Sequence, residues 1–186
     1  MGEPVLKMDD HFRYKEYKTW PEDERWELIR GEPFRMQAPS TAYQKLLLDL
    51  ATVLNVWFKG KPCRPFIAPV AVLLQDQADQ AEDEVDTIVE PDLLVVCDPE
   101  KVKHSGIHGA PDWVLEVLSP STSWRDQTEK RALYEQHGVK EYWIVNPDTL
   151  DITIFRLEDG RFAKPEGASL KEPVPVGLFP GLVLSV

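Results

Sequence analysis

The chain predicts an α/β fold: a mixed, twisted central sheet flanked by helices, with an amino-terminal β-hairpin and a β-rich carboxyl-terminal part. Three observations predict it. Short apolar runs rich in Val, Ile, Leu and aromatic residues recur near 69–74, 88–97, 113–118 and 140–146, the pattern of buried strands. Two other stretches, Thr41–Phe58 and the one between Ser121 and Gly138, carry apolar residues at helical spacing. WELIRGEPFRM sets Arg30-Gly31 between two strand-like runs, as a hairpin requires.

A chain of 186 residues with 42% hydrophobic and 10% aromatic content fits one domain spanning 1–186. The net charge of -11 favours solubility and speaks against a general nucleic-acid-binding surface. Cys63 and Cys97 lack a metal-ligand spacing and read as free thiols of a reducing cytoplasm. No apolar run reaches the roughly 18 residues of a membrane span. The start, MGEPVLKMDDHF, lacks the apolar core of a secretory signal.

The elements follow in order. Residues 1–20 are polar and aromatic-rich and are expected to wrap the surface, and Pro21–Glu24 reads as one helical turn. Strands are expected at 25–30 and 32–37. Ala38-Pro39-Ser40-Thr41 breaks the pattern and supplies a cap. The helix to Phe58 buries Tyr43, Leu46, Leu47, Leu50, Val53, Leu54 and Trp57. Leu48, Val56 and Phe58 widen its apolar face, which fits either burial on two sides or a dimer contact. Strands follow at 64–68 and 69–74. Gln75–Asp86 is acidic and without periodicity, and reads as a mobile loop. The strand Ile88–Cys97 contains Pro91, which belongs at an edge or a bulge. Alternation puts Glu90 and Asp92 on one face of it.

After the strand at 113–118, Ser121, Thr122 and Ser123 offer N-cap hydroxyls and Gly138 a helix stop. At about 100° per residue, Asp126, Lys130, Leu133, Tyr134 and His137 share the inward face. A strand over KEYWIVN, 140–146, and a hairpin turning at Glu158-Asp159-Gly160 come next. The proline-punctuated tail is expected to pack on the body.

Glu116 is a carboxylate inside an apolar strand, a costly position unless something binds it. Asp92 lies on the neighbouring strand, and Lys130 on the inward face of the next helix. Adjacent strands are about 4.8 Å apart, so facing carboxylates can share a cation. Mg²⁺ (or Mn²⁺) suits one or two carboxylates completed by water and phosphate oxygens. A lysine beside it can position water or neutralise a phosphate. The bland alternative is a buried Glu116–Lys130 ion pair, or a helical Asp126–Lys130 pair.

EPDLLVV, PDWVLEVLSPST, the spaced Asp126 and Lys130, and GVKEYWIV resemble a large bacterial family of restriction-endonuclease type, often catalogued as a domain of unknown function. WELIRGEPFRM is similar too, so the resemblance runs from about residue 20 to 156. It implies a PD-(D/E)xK nuclease fold, metal-dependent hydrolysis of DNA, and action as a homodimer. Carried over, Asp92 is the aspartate of the PD element and Glu116 the acid of the (D/E)xK element. Position 118 is Leu118, and Lys130 takes the lysine's place from the following helix. Asp92, Glu116 and Lys130 are thus the expected catalytic set, with Asp92, Glu116 and Glu90 as metal contacts. Where relatives often have histidine this chain has Tyr43 followed by Gln44. The alternative is a non-catalytic binding or assembly domain that keeps the fold. The acidic balance and the absent lysine at 118 favour it.

Overall fold

A computed structural model describes residues 11–21, 23–77, 79–119 and 123–186. The chain opens with the short helix α1 (Tyr14–Tyr17), then the hairpin β1 (Trp26–Ile29) and β2 (Glu32–Arg35). Arg30 and Gly31 both have positive φ, the geometry of a tight hairpin turn. Helix α2 occupies Thr41–Phe58, as expected, and the Ser40 side chain accepts the Tyr43 N–H at its start. Strands β3 (Arg64–Ile67) and β4 (Val72–Leu73) follow.

The strand expected over 88–97 is two strands, β5 (Ile88–Val89) and β6 (Leu93–Val96). They belong to different sheets: Ile88 pairs with Leu28, while Leu93 pairs with Leu115. Pro91 lies in the crossing between the sheets, where its missing N–H leaves no ladder bond unmade. Alternation therefore does not carry through, and Glu90 and Asp92 are not held on one strand face. The hairpin β7 (Val102–Lys103) and β8 (Gly106–His108) leads to β9 (Trp113–Val117).

The following helix has three parts: α3 (Ser123–Arg125), a π-turn over Asp126–Lys130, and α4 (Arg131–His137). It ends at Gly138 with φ of 81°, a left-handed position that glycine adopts without steric penalty. Ser121 and Thr122, expected as caps, lie outside the described residues. Then come β10 (Glu141–Val145), β11 (Asp151–Glu158), β12 (Arg161–Phe162), β13 (Glu166–Ser169), β14 (Val174–Pro175) and β15 (Val183–Leu184).

One sheet runs β2-β1-β5-β4-β8-β7, and the larger runs β12-β11-β10-β9-β6-β3 with β13 on β11. The parallel pair β9 and β10 is joined through the α3–α4 helix. Trp113, Leu115 and Val117 face α2 and the tail, packing with Leu46, Leu50, Leu54, Phe179 and Leu182. Val114 faces the other way with Leu133 and Tyr134 of α4 and Val72 and Val89 of the smaller sheet. The tail packs on the body, as its sequence suggested.

One further expectation changes. Cys63 and Cys97 form a disulfide rather than free thiols. The pairing of Arg64 with Val96 continues one step outward and sets the two cysteines opposite each other, a relation between distant segments that spacing does not reveal. The acidic loop contains a 3₁₀ turn, Glu82–Glu84, beside the fully buried Val85. Its acids are taken by Arg13, Lys15 and Lys18 of the amino-terminal segment. Among the described residues no helix is long and apolar enough to cross a membrane.

Candidate active site

The candidate site lies where β9 and β10 end, in the type of crevice that forms at the carboxyl ends of strands in α/β sheets. Leu93 pairs with Leu115 in an antiparallel ladder, so one further step sets Asp92 opposite Glu116. The Asp92 carboxylate turns along the end of β9 and accepts the Val117 N–H at 2.6 Å. Its other oxygen accepts the hydroxyl of Tyr43 from the first turn of α2.

Glu116 points to the helix side. Its Oε1 accepts from Lys130 Nζ at 2.8 Å and from the Tyr134 hydroxyl at 2.8 Å. Lys130 is 2% exposed and also meets Glu27 Oε1 at 2.7 Å and Asp126 Oδ1 at 3.7 Å. Of the inward face read for this helix, Asp126, Lys130, Leu133 and Tyr134 are buried and His137 is half-buried. The π-turn adds width at that point, a distortion common at functional positions. Tyr142 steadies it by donating its hydroxyl to the Asp126 carbonyl at 3.0 Å.

Glu27 is the residue that sequence reasoning missed. It is fully buried on β1, and its Oε1 bridges Lys130 and the Glu90 N–H at 2.9 Å. The signal was present: WELI, like VLEV, sets a carboxylate inside an apolar strand. Glu90 was expected among the metal contacts, but its side chain is engaged elsewhere. Its Oε2 accepts from Arg25 Nε at 2.9 Å, and its Oε1 accepts from the Tyr17 hydroxyl at 3.4 Å. The structure therefore brings Asp92, Glu116 and Lys130 together, adds Glu27, Asp126, Tyr43 and Tyr134, and turns Glu90 toward Arg25.

The charges do not balance. Among the described residues, the buried carboxylates of Glu27, Glu116 and Asp126 meet the one Lys130 ammonium, and the buried Asp92 lies opposite Glu116. Burial disfavours the Lys130 ammonium, but Glu116, Glu27 and Asp126 outweigh it and hold its pKa well above the usual lysine value. Burial pushes Asp92 from 3.8 up to about 6, against the hydrogen bonds from Tyr43 and Val117. Burial raises Glu116 well above the glutamate range, with Lys130 opposing and Asp92, Asp126 and Glu27 adding to the rise. The surplus negative charge is met by protons, or by a cation that replaces them.

The cluster opens on a cleft of about 580 Å³ whose lining includes Asp92, Glu116, Lys130, Arg25 and Asp148. The donor set facing it is oxygen throughout, which suits a hard divalent ion. Among the described residues no group of three His, Cys, Asp or Glu side chains is placed to hold a metal. The side chains that would hold a cation are Asp92 and Glu116. Water and substrate oxygens would complete the shell, the usual manner of binding Mg²⁺.

The model of the Uma2 family, described as "Putative restriction endonuclease", matches residues 14–186. An uncharacterized protein of Synechocystis sp. is 25% identical over 148 residues, covering 78% of this chain and 74% of that protein. A crystal structure described as that of "a putative nuclease belonging to DUF820" from Anabaena variabilis has the same fold. Its TM-score is 0.72 at 22% identity, with 94% of each chain covered.

Proposed function

This chain belongs to the Uma2 family, and on that premise we propose that it is a nuclease hydrolysing phosphodiester bonds of DNA with Mg²⁺ or Mn²⁺. The observation that carries the reading is the surplus of buried carboxylate around Lys130 at the floor of an open cleft. A purely structural ion pair needs one acid per base. Here Glu27, Glu116 and Asp126 converge on one lysine and Asp92 lies opposite Glu116. A divalent ion bound there would supply Lewis acidity toward a phosphodiester.

The side chains divide the remaining work. Asp92 and Glu116 present oxygens toward the cleft. Val117 N–H and the Tyr43 hydroxyl fix the Asp92 carboxylate. Lys130 and Tyr134 fix Glu116, and Glu27 holds Lys130 from behind at 2.7 Å. Lys130 offers positive charge beside the reacting phosphate, the electrostatic role that preorganised donors serve in transition states.

A second reading, a binding or assembly domain without catalysis, is favoured by Asp92, since both of its oxygens already accept hydrogen bonds within the chain. Cleavage of duplex DNA, single-stranded DNA and RNA with Mg²⁺, Mn²⁺ or chelator separates the two. Metal-dependent cleavage abolished in Glu116→Gln supports the nuclease. Binding of nucleic acid without cleavage, and without dependence on the cation, supports the second reading.

The proposal extends to a homodimer. Leu48 and Val56 stand exposed on the outer face of α2, and apolar residues so placed often mark interfaces. Sedimentation showing a monomer alone at tens of micromolar, about the range where a specific interface holds, would remove the dimer from it.

A further inference from the structure

A cleft walled by Asp92, Glu116, Asp126 and Asp148 repels a polyanion, and the chain as a whole carries -11. An incoming phosphodiester therefore needs a cation at the mouth as well as one on the floor. Among the described residues lining the cleft, the cationic side chains are Lys130 and Arg25. Lys130 is buried and encircled by carboxylates. Arg25 precedes β1, and its side chain is 35% exposed.

We propose that Arg25 is the phosphate-contacting residue of this cleft and that Glu90 positions it; the proposal rests on the nuclease reading above. Glu90 binds one edge of the guanidinium, accepting from Nε at 2.9 Å and lying 2.8 Å from Nη2. Glu90 is itself fixed, through its N–H on Glu27 and through Tyr17 on its second oxygen. With Nε on Glu90 and the buried Nη2 beside the same carboxylate oxygen, Nη1 is the guanidinium nitrogen left to donate to a phosphate oxygen. The Arg25 charge reaches the site, because it counters part of the burial-driven rise in the pKa of Tyr43, the residue that donates to Asp92. Glu90 thus acts as the anchor of Arg25 rather than as a metal contact, which accounts for a buried carboxylate turned away from Asp92.

The test measures binding of a fluorescent DNA duplex and a single strand with Ca²⁺, across a range of salt, for the parent, Arg25→Gln, Arg25→Lys and Glu90→Gln. Arg35→Gln serves as the control: it lies on the same hairpin, paired with Glu24 and outside the cleft lining. Arg25→Gln should weaken binding about tenfold or more and lower the salt slope by about one, the signature of one lost phosphate contact. Arg25→Lys should keep the slope and lose part of the affinity. Glu90→Gln should weaken binding less, and should add nothing in the Arg25→Gln background. The double variant also removes the unpaired Glu90 charge, so a fold weakened by Arg25→Gln alone does not obscure the result. A slope unchanged in both Arg25→Gln and the double variant would overturn the proposal while leaving the nuclease reading intact. A parent that shows no salt-dependent binding to any nucleic acid would overturn both.

Discussion

Replacing Lys130 by Met removes the ammonium that Glu27, Glu116 and Asp126 surround. Met matches the length and bulk of the lysine stem, so the effect is electrostatic. Glu27 at 2.7 Å and Glu116 at 2.8 Å lose their direct partner, and Asp126 at 3.7 Å loses a near one. Breaking a buried pair by removing one partner costs about 3–5 kcal/mol. For a chain of this size each kcal/mol lowers Tm by about 2–4 °C, so the variant should melt about 6–20 °C lower in chelator. The loss should be partly relieved in Lys130→Met/Glu116→Gln, which removes one of the stranded acids. Mg²⁺ should raise the Tm of Lys130→Met more than that of the parent, because the site it enters is more negative. Cleavage should fall by about 10²-fold or more, the scale of one lost electrostatic stabiliser. Calorimetry at pH 7 with chelator and with Mg²⁺ reads the stability arms. A variant that melts with the parent in chelator would refute the idea that Lys130 compensates these acids. Equal stabilisation of parent and variant by Mg²⁺, or none, would refute the cation site.

Glu116→Gln, the same shape without the charge, should keep the fold and melt at or above the parent in chelator, since Asp92, Asp126 and Glu27 crowd Glu116; isothermal titration should find its Mg²⁺ affinity lost, and unchanged affinity would remove Glu116 from the metal set. The raised Asp92 pKa, from 3.8 to about 6, makes the folded state hold a proton that the unfolded chain releases. Its stabilisation is full below about 4 and is lost as pH rises through about 6. The groups facing Asp92 are Tyr43 from α2, Val117 N–H and Glu116 from β9, and Lys130 and Asp126 from the helix. In chelator, Asp92→Asn should therefore lose part of the parent's fall in stability between about pH 5 and 7; identical slopes in denaturant melts would contradict it. Gly177→Ala should destabilise by about 1–3 kcal/mol, as overpacking does, because a Cβ there would stand 2.7 Å from Arg156 Nε and 2.9 Å from Glu141 Oε2. Glu141 also accepts the Gly177 and Leu178 N–H groups and so anchors the tail; a normal melt would show that the tail shifts freely.

Periodicity, caps and turn chemistry made α2 legible with both of its bounds, together with the first hairpin, the stop at Gly138 and the inward face of Asp126, Lys130, Leu133 and Tyr134. These are local properties, set by residues within one or two turns of each other. The apposition of Asp92 and Glu116 was legible for a related reason: strands of apolar residues interrupted by a single acid leave few places for that acid. What tertiary structure decided is everything that joins segments far apart in the chain. Glu27 reaches Lys130 only because β1 pairs with β5 and β5 leads into Glu90 and Asp92. Glu90 leaves the face expected of it because the chain changes sheets at Pro91, which an alternation rule applied to one continuous strand does not foresee. Cys63 meets Cys97 through the register of β3 on β6. Local propensity acts over a few residues, whereas sheet order and register follow from the burial of whole faces against one another, and those faces brought a second strand glutamate and a cleft-mouth arginine to a site first read as Asp92, Glu116 and Glu90 with Lys130.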